Sequence, residues 1–290
     1  MENKVIKFET PKKFLLNGMF FGSEKAENIF ICLHGLGANL FSQVELAKKI
    51  ADKKNSVLVF NNRGNGIISR IHQFDKKNKK YISREIGMAH EVFTDCVDDI
   101  EGAVQYAKTL GDKNIFLLGH STGCQKSVYY LAKNQKTAIK GVLLLAPMSD
   151  FADTFAFTDR KLYNKAVSFA NKLVAEKRQH ELLPEKIWPS TIDAQRFLSL
   201  FTADSVEEIF SYASNRNPKL LQSVKLPKLI VLAENDEYRD REISKIADWF
   251  KENLQENKAE IITIKNAPHN FQEHIDELAK VVKTWVEKLN

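Results

Sequence analysis

A serine between two glycines is the first feature of this sequence with chemical meaning. The stretch FLLGHSTGCQ, residues 116–125, places Ser121 in a G-x-S-x-G pattern with Gly119 and Gly123. In that pattern the glycines relieve crowding at a sharp turn from a strand into a helix, and the serine adopts a strained backbone conformation. An apolar run precedes the pattern and a helix-compatible stretch follows it. We therefore predict that Ser121 is a nucleophile; the alternative is a glycine-rich turn with an incidental serine.

A serine hydroxyl needs a base to become nucleophilic. We predict that the adjacent His120 packs beneath the turn instead of bonding to Ser121. Open α/β sheets place their sites at the carboxyl ends of strands, and with this turn the chain order is serine, acid, histidine. The histidines after Ser121 are His180, His269 and His274. His269 directly follows the last predicted strand and is the predicted base, with His274 as the alternative.

The acid of such a site should follow the preceding strand. The stretch KLIVLAENDEYRD offers Glu234, Asp236, Glu237 and Asp240. Asp236 lies about three residues beyond the strand in a turn-like segment and is the predicted acid. Asp150, which follows an earlier predicted strand, is the alternative. Each of these carboxylates also fits a turn or a helix cap.

An oxyanion hole needs two preorganised donors near the developing negative charge. The backbone N–H of Thr122, directly after the serine, is the predicted first donor. The second is predicted to be that of Leu36 in the loop HGLGANL, because Gly35 and Gly37 allow this loop to approach the serine closely.

Short apolar runs alternate with helical patterns along the chain, and these elements must position the site. The runs are continuously apolar, as in strands buried on both faces of a parallel sheet. Alternation of such strands with helices predicts an α/β fold with helices on both faces, and the first two segments predict an antiparallel hairpin at the sheet edge. The predicted strands are 29–33, 57–60, 115–118, 142–146, 229–233 and 261–264.

Two segments interrupt the alternation, at 65–92 and at 150–224. The second is long, aromatic and mostly helical, and it lies between two predicted core strands. We predict that it is an inserted helical cap, with residues 1–149 and 225–290 forming the two parts of the core. Its aromatic residues Trp188 and Phe197 are predicted to bind the acyl group of a substrate.

Composition argues against several other classes of protein. The net charge of +6 arises from 43 basic and 37 acidic residues spread along the chain, so nucleic-acid binding is not expected. The lysines at 76, 77, 79 and 80 are interpreted as a solvated turn. Three cysteines, no signal-like N-terminus and no long apolar run indicate a soluble cytoplasmic protein without membrane spans. The histidines show no metal-binding spacing, so no metal is expected.

The motifs HGLGAN, NNRGNG, GHSTGCQ, AENDE and NAPHNF together resemble the α/β-hydrolase superfamily over nearly the whole chain. NNRG, GHSTGCQ and AQRFLSL are similar to a poorly characterised group that includes fungal siderophore esterases. Cys124 departs from the pattern, since many relatives have a second glycine there.

The resemblance implies the α/β-hydrolase fold and a serine hydrolase without metal or organic cofactor, acting on a small-molecule ester or acyl substrate. Ser121 would attack a carbonyl, His269 would take the proton, and Asp236 would orient the imidazole. A carboxylesterase is the expected activity. A thioesterase, a C–C bond hydrolase or an acyltransferase would use the same triad, and a non-catalytic binding protein is also compatible with the fold.

Overall fold

An eight-stranded sheet lies at the centre of the protein in the computed structural model, which describes residues 3–214, 216–254 and 259–289. The strand order is β1-β2-β4-β3-β7-β8-β9-β10, and β5 and β6 form a separate two-stranded sheet. The strands are β1 (Asn3–Glu9), β2 (Leu15–Phe21), β3 (Asn28–Leu33), β4 (Asn55–Phe60), β5 (Ser69–Asp75), β6 (Lys80–Ile86), β7 (Asn114–His120), β8 (Ile139–Leu145), β9 (Lys228–Ala233) and β10 (Ala259–Ile264).

The six predicted core strands are confirmed, and they pair in parallel from β4 to β10. Every residue of β3, β4 and β9 is buried, which explains their continuous apolar sequences. The predicted hairpin is also confirmed: β1 and β2 pair in antiparallel fashion, with β1 at the edge of the sheet.

Helices cover both faces of the sheet, as predicted. The buried side chains of α2, α3 and α8 pack in one hydrophobic layer, and those of α1 and α9 pack in the other. None of the helices in the described ranges is long and apolar enough to cross a membrane. The helices are α1 (Val44–Ile50), α2 (Cys96–Thr109), α3 (Thr122–Lys133), α4 (Asp150–Phe157), α5 (Arg160–Ala175), α6 (Ala194–Phe201), α7 (Lys219–Ser223), α8 (Ile243–Asn253) and α9 (Ile275–Glu287).

The segment 65–92 contains the β5–β6 hairpin, which the sequence pattern did not predict. Few of its side chains are buried, so it lacks the apolar alternation that marks a half-buried strand. The lysine run lies at the turn of this hairpin and at the start of β6.

The segment between β8 and β9, for which the sequence predicts a cap, carries α4 to α7 and is called the cap below. Part of it has a hydrophobic core of its own, which extends from Ala166 to Leu200. From Ile209 onward, its buried side chains instead join the layer that contains α2, α3 and α8. The last part of the predicted cap, from Ile209 onward, therefore packs as part of the main core.

Candidate active site

Ser121 connects β7 to α3 in a strained conformation. Its φ of 54° and ψ of −128° lie in a region that L-residues rarely occupy. Its amide N–H donates to the carbonyl of Leu145 at 3.0 Å, which ties the turn to the neighbouring strand β8. The side chain is thus presented at the carboxyl end of the sheet, which is where a nucleophile in this turn is expected.

The glycines of the motif are required by close backbone contacts. A Cβ atom on Gly119 would lie 2.3 Å from the carbonyl oxygen of Gly123, and one on Gly123 would lie 2.4 Å from that of Leu33. In the loop after β3, a Cβ atom on Gly35 would lie 2.8 Å from the Cβ of Ser121. The loop after β3 therefore passes directly beside the serine, as its sequence suggested.

The two predicted oxyanion-hole residues, Leu36 and Thr122, directly follow Gly35 and Ser121, the two residues that approach each other closely. Thr122 is the first residue of α3, and the first amides of a helix have no partner within the helix. Its side chain is buried, and its hydroxyl has no hydrogen-bond partner among the described residues. Leu36 follows Gly35, lines the cavity at Ser121 and packs against the hydrophobic core of the cap.

His269 lies between β10 and α9 and is paired with Asp236 from the turn after β9. The His269 Nδ1 to Asp236 Oδ2 distance is 2.7 Å, and Asp236 is fully buried. The second carboxylate oxygen of Asp236 accepts from the backbone N–H of Tyr238 at 3.0 Å. Because a carboxylate only accepts, Nδ1 carries the proton, and Nε2 is left as the acceptor.

The other candidates for the acid and the base form different contacts. Asp150 does not contact His269 by a hydrogen bond; its Oδ2 accepts from Gln125 Nε2 at 3.1 Å. His274 precedes α9, with its Nδ1 3.6 Å from Glu277 Oε2. His180 lies in the cap beside Asp193. His180 Nδ1 lies 3.2 Å from Asp193 Oδ2 in a similar pairing, but neither residue lines the cavity that contains Ser121 and His269.

As predicted, His120 does not bond to Ser121, but its predicted place beneath the turn was wrong. His120 lines the same cavity as Ser121, and its Nε2–H donates to the backbone carbonyl of His269 at 2.9 Å. Burial, reinforced by the neighbouring His269, lowers the pKa of His120 to about 4, so the ring is neutral near pH 7. The side chain leaves the end of β7 toward the His269 loop and supports that loop.

His34 supports the loop after β3. Its ring is fully buried, with Nδ1 donating to the carbonyl of Gly35 at 2.9 Å and Nε2 accepting from the amide of Asn62 at 3.3 Å. Burial, reinforced by Lys126, lowers the pKa of His34 to about 4. No group of side chains suited to holding a metal ion occurs within the described ranges.

A cavity of about 320 Å³ brings the site together. Ser121 and His269 both line it, so a carbonyl held at the serine would also lie near the histidine. The sequence pattern did not indicate Asp153, Tyr238 or Asn270 as part of it, since carboxylates and polar residues at turns and helix starts are common. The lining residues are Gly35, Leu36, Ala38, Ser42, His120, Ser121, Met148, Ser149, Asp150, Asp153, Tyr238, His269 and Asn270.

The structure does not bring Trp188 and Phe197 to this cavity, contrary to expectation. Both are buried in the core of the cap, with their ring centroids 4.9 Å apart, and both pack against Phe201. The physical reason is that an inserted helical segment needs its own hydrophobic core, and its largest aromatic side chains fill that core. A groove of about 840 Å³ on the cap is lined in part by Phe151, Phe155 and Tyr163 and contains neither Ser121 nor His269.

Comparison with known proteins agrees with this architecture. "Putative esterase/lipase 2" of Mycoplasma genitalium is 26% identical over 239 residues, which cover 78% of each chain. The siderophore hydrolase EstB of Aspergillus fumigatus superposes with a TM-score of 0.68 at 17% identity, covering 99% of this chain and 98% of the other. The α/β hydrolase GrgF of a Penicillium species gives 0.66 at 16% identity, with 100% and 98% covered.

These solved structures confirm the α/β-hydrolase fold. The family match is more specific. Residues 83–289 match the family described as "Protein of unknown function (DUF1749)", and that range contains Ser121, Asp236 and His269. The chain belongs to the DUF1749 family, on an α/β-hydrolase fold.

Proposed function

We propose that this protein is a serine hydrolase that cleaves a carboxylic ester of a small or medium-sized substrate. The proposal depends on one arrangement: the strained Ser121 shares a cavity with His269, whose Nδ1 is 2.7 Å from the buried carboxylate of Asp236. A nucleophile, a base and an orienting acid in this order and fold are the components of acyl transfer.

In the proposed reaction, Ser121 Oγ attacks the ester carbonyl while His269 Nε2 takes the hydroxyl proton. The bond from Nδ1–H to Asp236 holds the imidazole in the required tautomer and stabilises the imidazolium that forms. The backbone amides of Thr122 and Leu36 would donate to the developing oxyanion. The imidazolium then protonates the departing alcohol, and a water molecule releases the acyl group by the reverse sequence. No cofactor takes part.

Two further observations support an ester substrate of limited size. The cavity volume of about 320 Å³ is at the lower end of the range of small-molecule sites. The Mycoplasma relative is described as an esterase/lipase, and the Aspergillus structural neighbour as a siderophore hydrolase.

Covalent labelling tests the assignment of the nucleophile. A fluorophosphonate should label the wild-type protein at Ser121 and block hydrolysis of p-nitrophenyl esters, because the phosphonyl group traps an activated serine. Ser121→Ala should abolish both labelling and turnover. Ser42→Ala is the matched control, since Ser42 lines the same cavity but its hydroxyl donates to the backbone carbonyl of Asn39. Full labelling of Ser121→Ala would refute the assignment.

A further inference from the structure

Two carboxyl groups line the proposed catalytic cavity in addition to the triad. Asp150 and Asp153 both lie in the first turn of α4, and both line the cavity with Ser121 and His269. The lining contains neither lysine nor arginine. One side of the cavity is therefore acidic without a compensating cation in the lining.

The protein leaves these carboxyl groups largely unpartnered. Asp150 accepts one hydrogen bond, from Gln125 Nε2 at 3.1 Å. The carboxyl of Asp153 accepts none from the described residues, and neither group forms an ion pair with a lysine or arginine within those ranges. Gln125 is itself buried, and its amide oxygen has no hydrogen-bond partner among the described residues. Both carboxyl groups therefore keep free acceptor capacity toward the cavity, and the cation that acts on Asp150 from outside the lining, Arg196, is itself paired with Glu91 and Glu207.

Their surroundings disfavour negative charge unless a cation is bound. Burial, followed by the nearby Glu207, raises the pKa of Asp150 to about 7. Burial, followed by Asp236 and Asp240, raises the pKa of Asp153 to about 6. A positively charged group beside them would reverse this effect, because an opposite charge within a few ångströms stabilises the ionised form.

Tyr238 provides an aromatic surface at the same cavity. The residue is 48% exposed and lines the cavity, and its ring packs edge to face with that of His269, with the ring centroids 4.7 Å apart. An aromatic face attracts organic cations through its quadrupole, and the attraction is greatest where the cation is partly desolvated. Carboxylates and an aromatic ring lining one cavity form a chemical environment that suits an ammonium group.

We propose that Asp150 and Asp153 select esters whose acyl or alcohol part carries an ammonium group. This inference rests on the proposed function, because it assumes that the cavity at Ser121 binds an ester. The positive group would lie beside α4 while the ester carbonyl lies at Ser121. The competing explanation is that the two carboxyl groups only stabilise the His269 imidazolium, which would affect every substrate equally.

Two pairs of substrates separate charge from shape. On the acyl side, the p-nitrophenyl ester of 4-(trimethylammonio)butanoate is compared with that of 5,5-dimethylhexanoate, in which carbon replaces nitrogen. On the alcohol side, butyrylcholine is compared with 3,3-dimethylbutyl butyrate. Initial rates are measured by nitrophenol absorbance for the first pair and by titration of the released acid for the second. Both assays are run at pH 8, where the carboxyl groups of Asp150 and Asp153 are mostly ionised.

In at least one pair, kcat/KM should favour the cationic ester by about tenfold or more, the scale of one charge–charge contact near a protein surface. Asp153→Asn and Asp150→Asn should each lower that ratio severalfold. Asparagine nearly conserves the volume and removes an unfavourable charge, so both variants are expected to fold, which circular dichroism checks. Glu252→Gln is the charge-matched control, because Glu252 is exposed on α8, away from the cavity lining.

The inference is overturned if, in both pairs, the kcat/KM of the cationic ester is no higher than that of the neutral ester. Hydrolysis of the neutral esters in that case would still support the proposed function. Equal losses for both members of a pair in the asparagine variants would also overturn it and would assign the carboxyl groups to His269. Failure of all four esters together with unlabelled Ser121 would instead refute the proposed function, and this inference with it.

Discussion

At the scale of single residues, His269 is held at its ring and at both ends of its backbone. Asp236 accepts from the ring, Glu237 Oε2 accepts from the His269 backbone N–H at 2.9 Å, and His120 donates to the His269 carbonyl at 2.9 Å. The turn after β9 thus supplies two consecutive carboxylates to one histidine. Asp236 sets the ring, and Glu237 sets the position of the loop that carries it.

We predict that Glu237 is a positioning residue for the base. Glu237→Ala should lower kcat by between about ten- and a hundredfold with little change in KM, because a small displacement of a catalytic group is costly. Glu237→Gln keeps an oxygen acceptor of the same reach and should restore most of kcat. Steady-state kinetics on p-nitrophenyl butyrate measures both values. Equal rates for the two variants, or a loss confined to KM, would count against this role.

At the scale of elements, α3, the helix that follows Ser121, and the cap are joined by buried charges. Lys126 in α3 lies 2.5 Å from Glu91 Oε1, and Arg196 in α6 lies 3.0 Å from Glu91 Oε2. Arg196 also pairs with Glu207. All four side chains are at least nine-tenths buried. Glu91 therefore links the helix that follows Ser121 to a helix of the cap.

Removing Arg196 should destabilise the whole protein, because it leaves Glu91 and Glu207 buried with fewer positive partners. Arg196→Leu should lower the free energy of unfolding by about 3–5 kcal/mol, the range found when one partner of a buried pair is removed. Arg178→Leu is the control, since Arg178 forms exposed ion pairs with Glu176 and Glu181. Urea unfolding followed by circular dichroism compares them. Unfolding curves that coincide for both variants would show that the buried pairs contribute nothing to stability.

The same elements show which features of the fold were predictable from the sequence. Strands buried on both faces leave continuous apolar runs, so β3, β4, β7, β8 and β9 were recognisable. The edge strand β10 is only partly buried, but its sequence carries the same kind of apolar run. The β5–β6 hairpin was not, because most of its side chains are exposed. The pairing of Glu91 with Lys126 and Arg196 was also not predictable, since it joins residues 35 and 105 positions apart and no local periodicity records such contacts.

For the candidate site, the predictable part was the part with fixed local spacing. Ser121 and its glycines were recognisable because the turn leaves no room for a Cβ at those glycines. Asp153 was not, because a carboxylate at a helix start usually has only a local role. Glu237 was among the candidate acids, but its bond to the His269 backbone was not predictable from a turn sequence. Trp188 and Phe197 were misassigned because aromatic content does not distinguish the lining of a pocket from the core of a cap.

At the scale of the whole molecule, several carboxyl groups disfavour ionisation in the folded state. Burial is the largest cause in each case, and it raises the pKa of Asp99 and Asp153 to about 6, of Asp150 to about 7 and of Glu208 to about 8. A group with a raised pKa retains its proton in the folded state at pH values where the unfolded chain has released it. These groups therefore make the folded protein less stable as the pH rises through the neutral range.

Glu208 should contribute most to this pH dependence. Both of its carboxyl oxygens lie 2.8 Å from Ser149 Oγ, and burial, with nearby Asp150, raises its pKa from 4.5 to about 8. Below pH 4.5 the group is protonated in both states and favours neither. Between pH 4.5 and about 8 only the folded state keeps the proton, so wild-type stability falls with rising pH, and above about pH 8 the full cost is reached.

Glu208→Gln replaces this carboxyl with a neutral amide that still offers an oxygen to the Ser149 hydroxyl. The Tm of Glu208→Gln minus that of wild type should therefore be smallest near pH 5, increase steadily to about pH 8 and then level off. Differential scanning fluorimetry from pH 5 to pH 9 measures both proteins, and Glu252→Gln corrects for the loss of one exposed charge. A Tm difference that stays constant over this range would mean that Glu208 titrates alike in the folded and unfolded states. Glu208 would then contribute nothing to the pH dependence of stability.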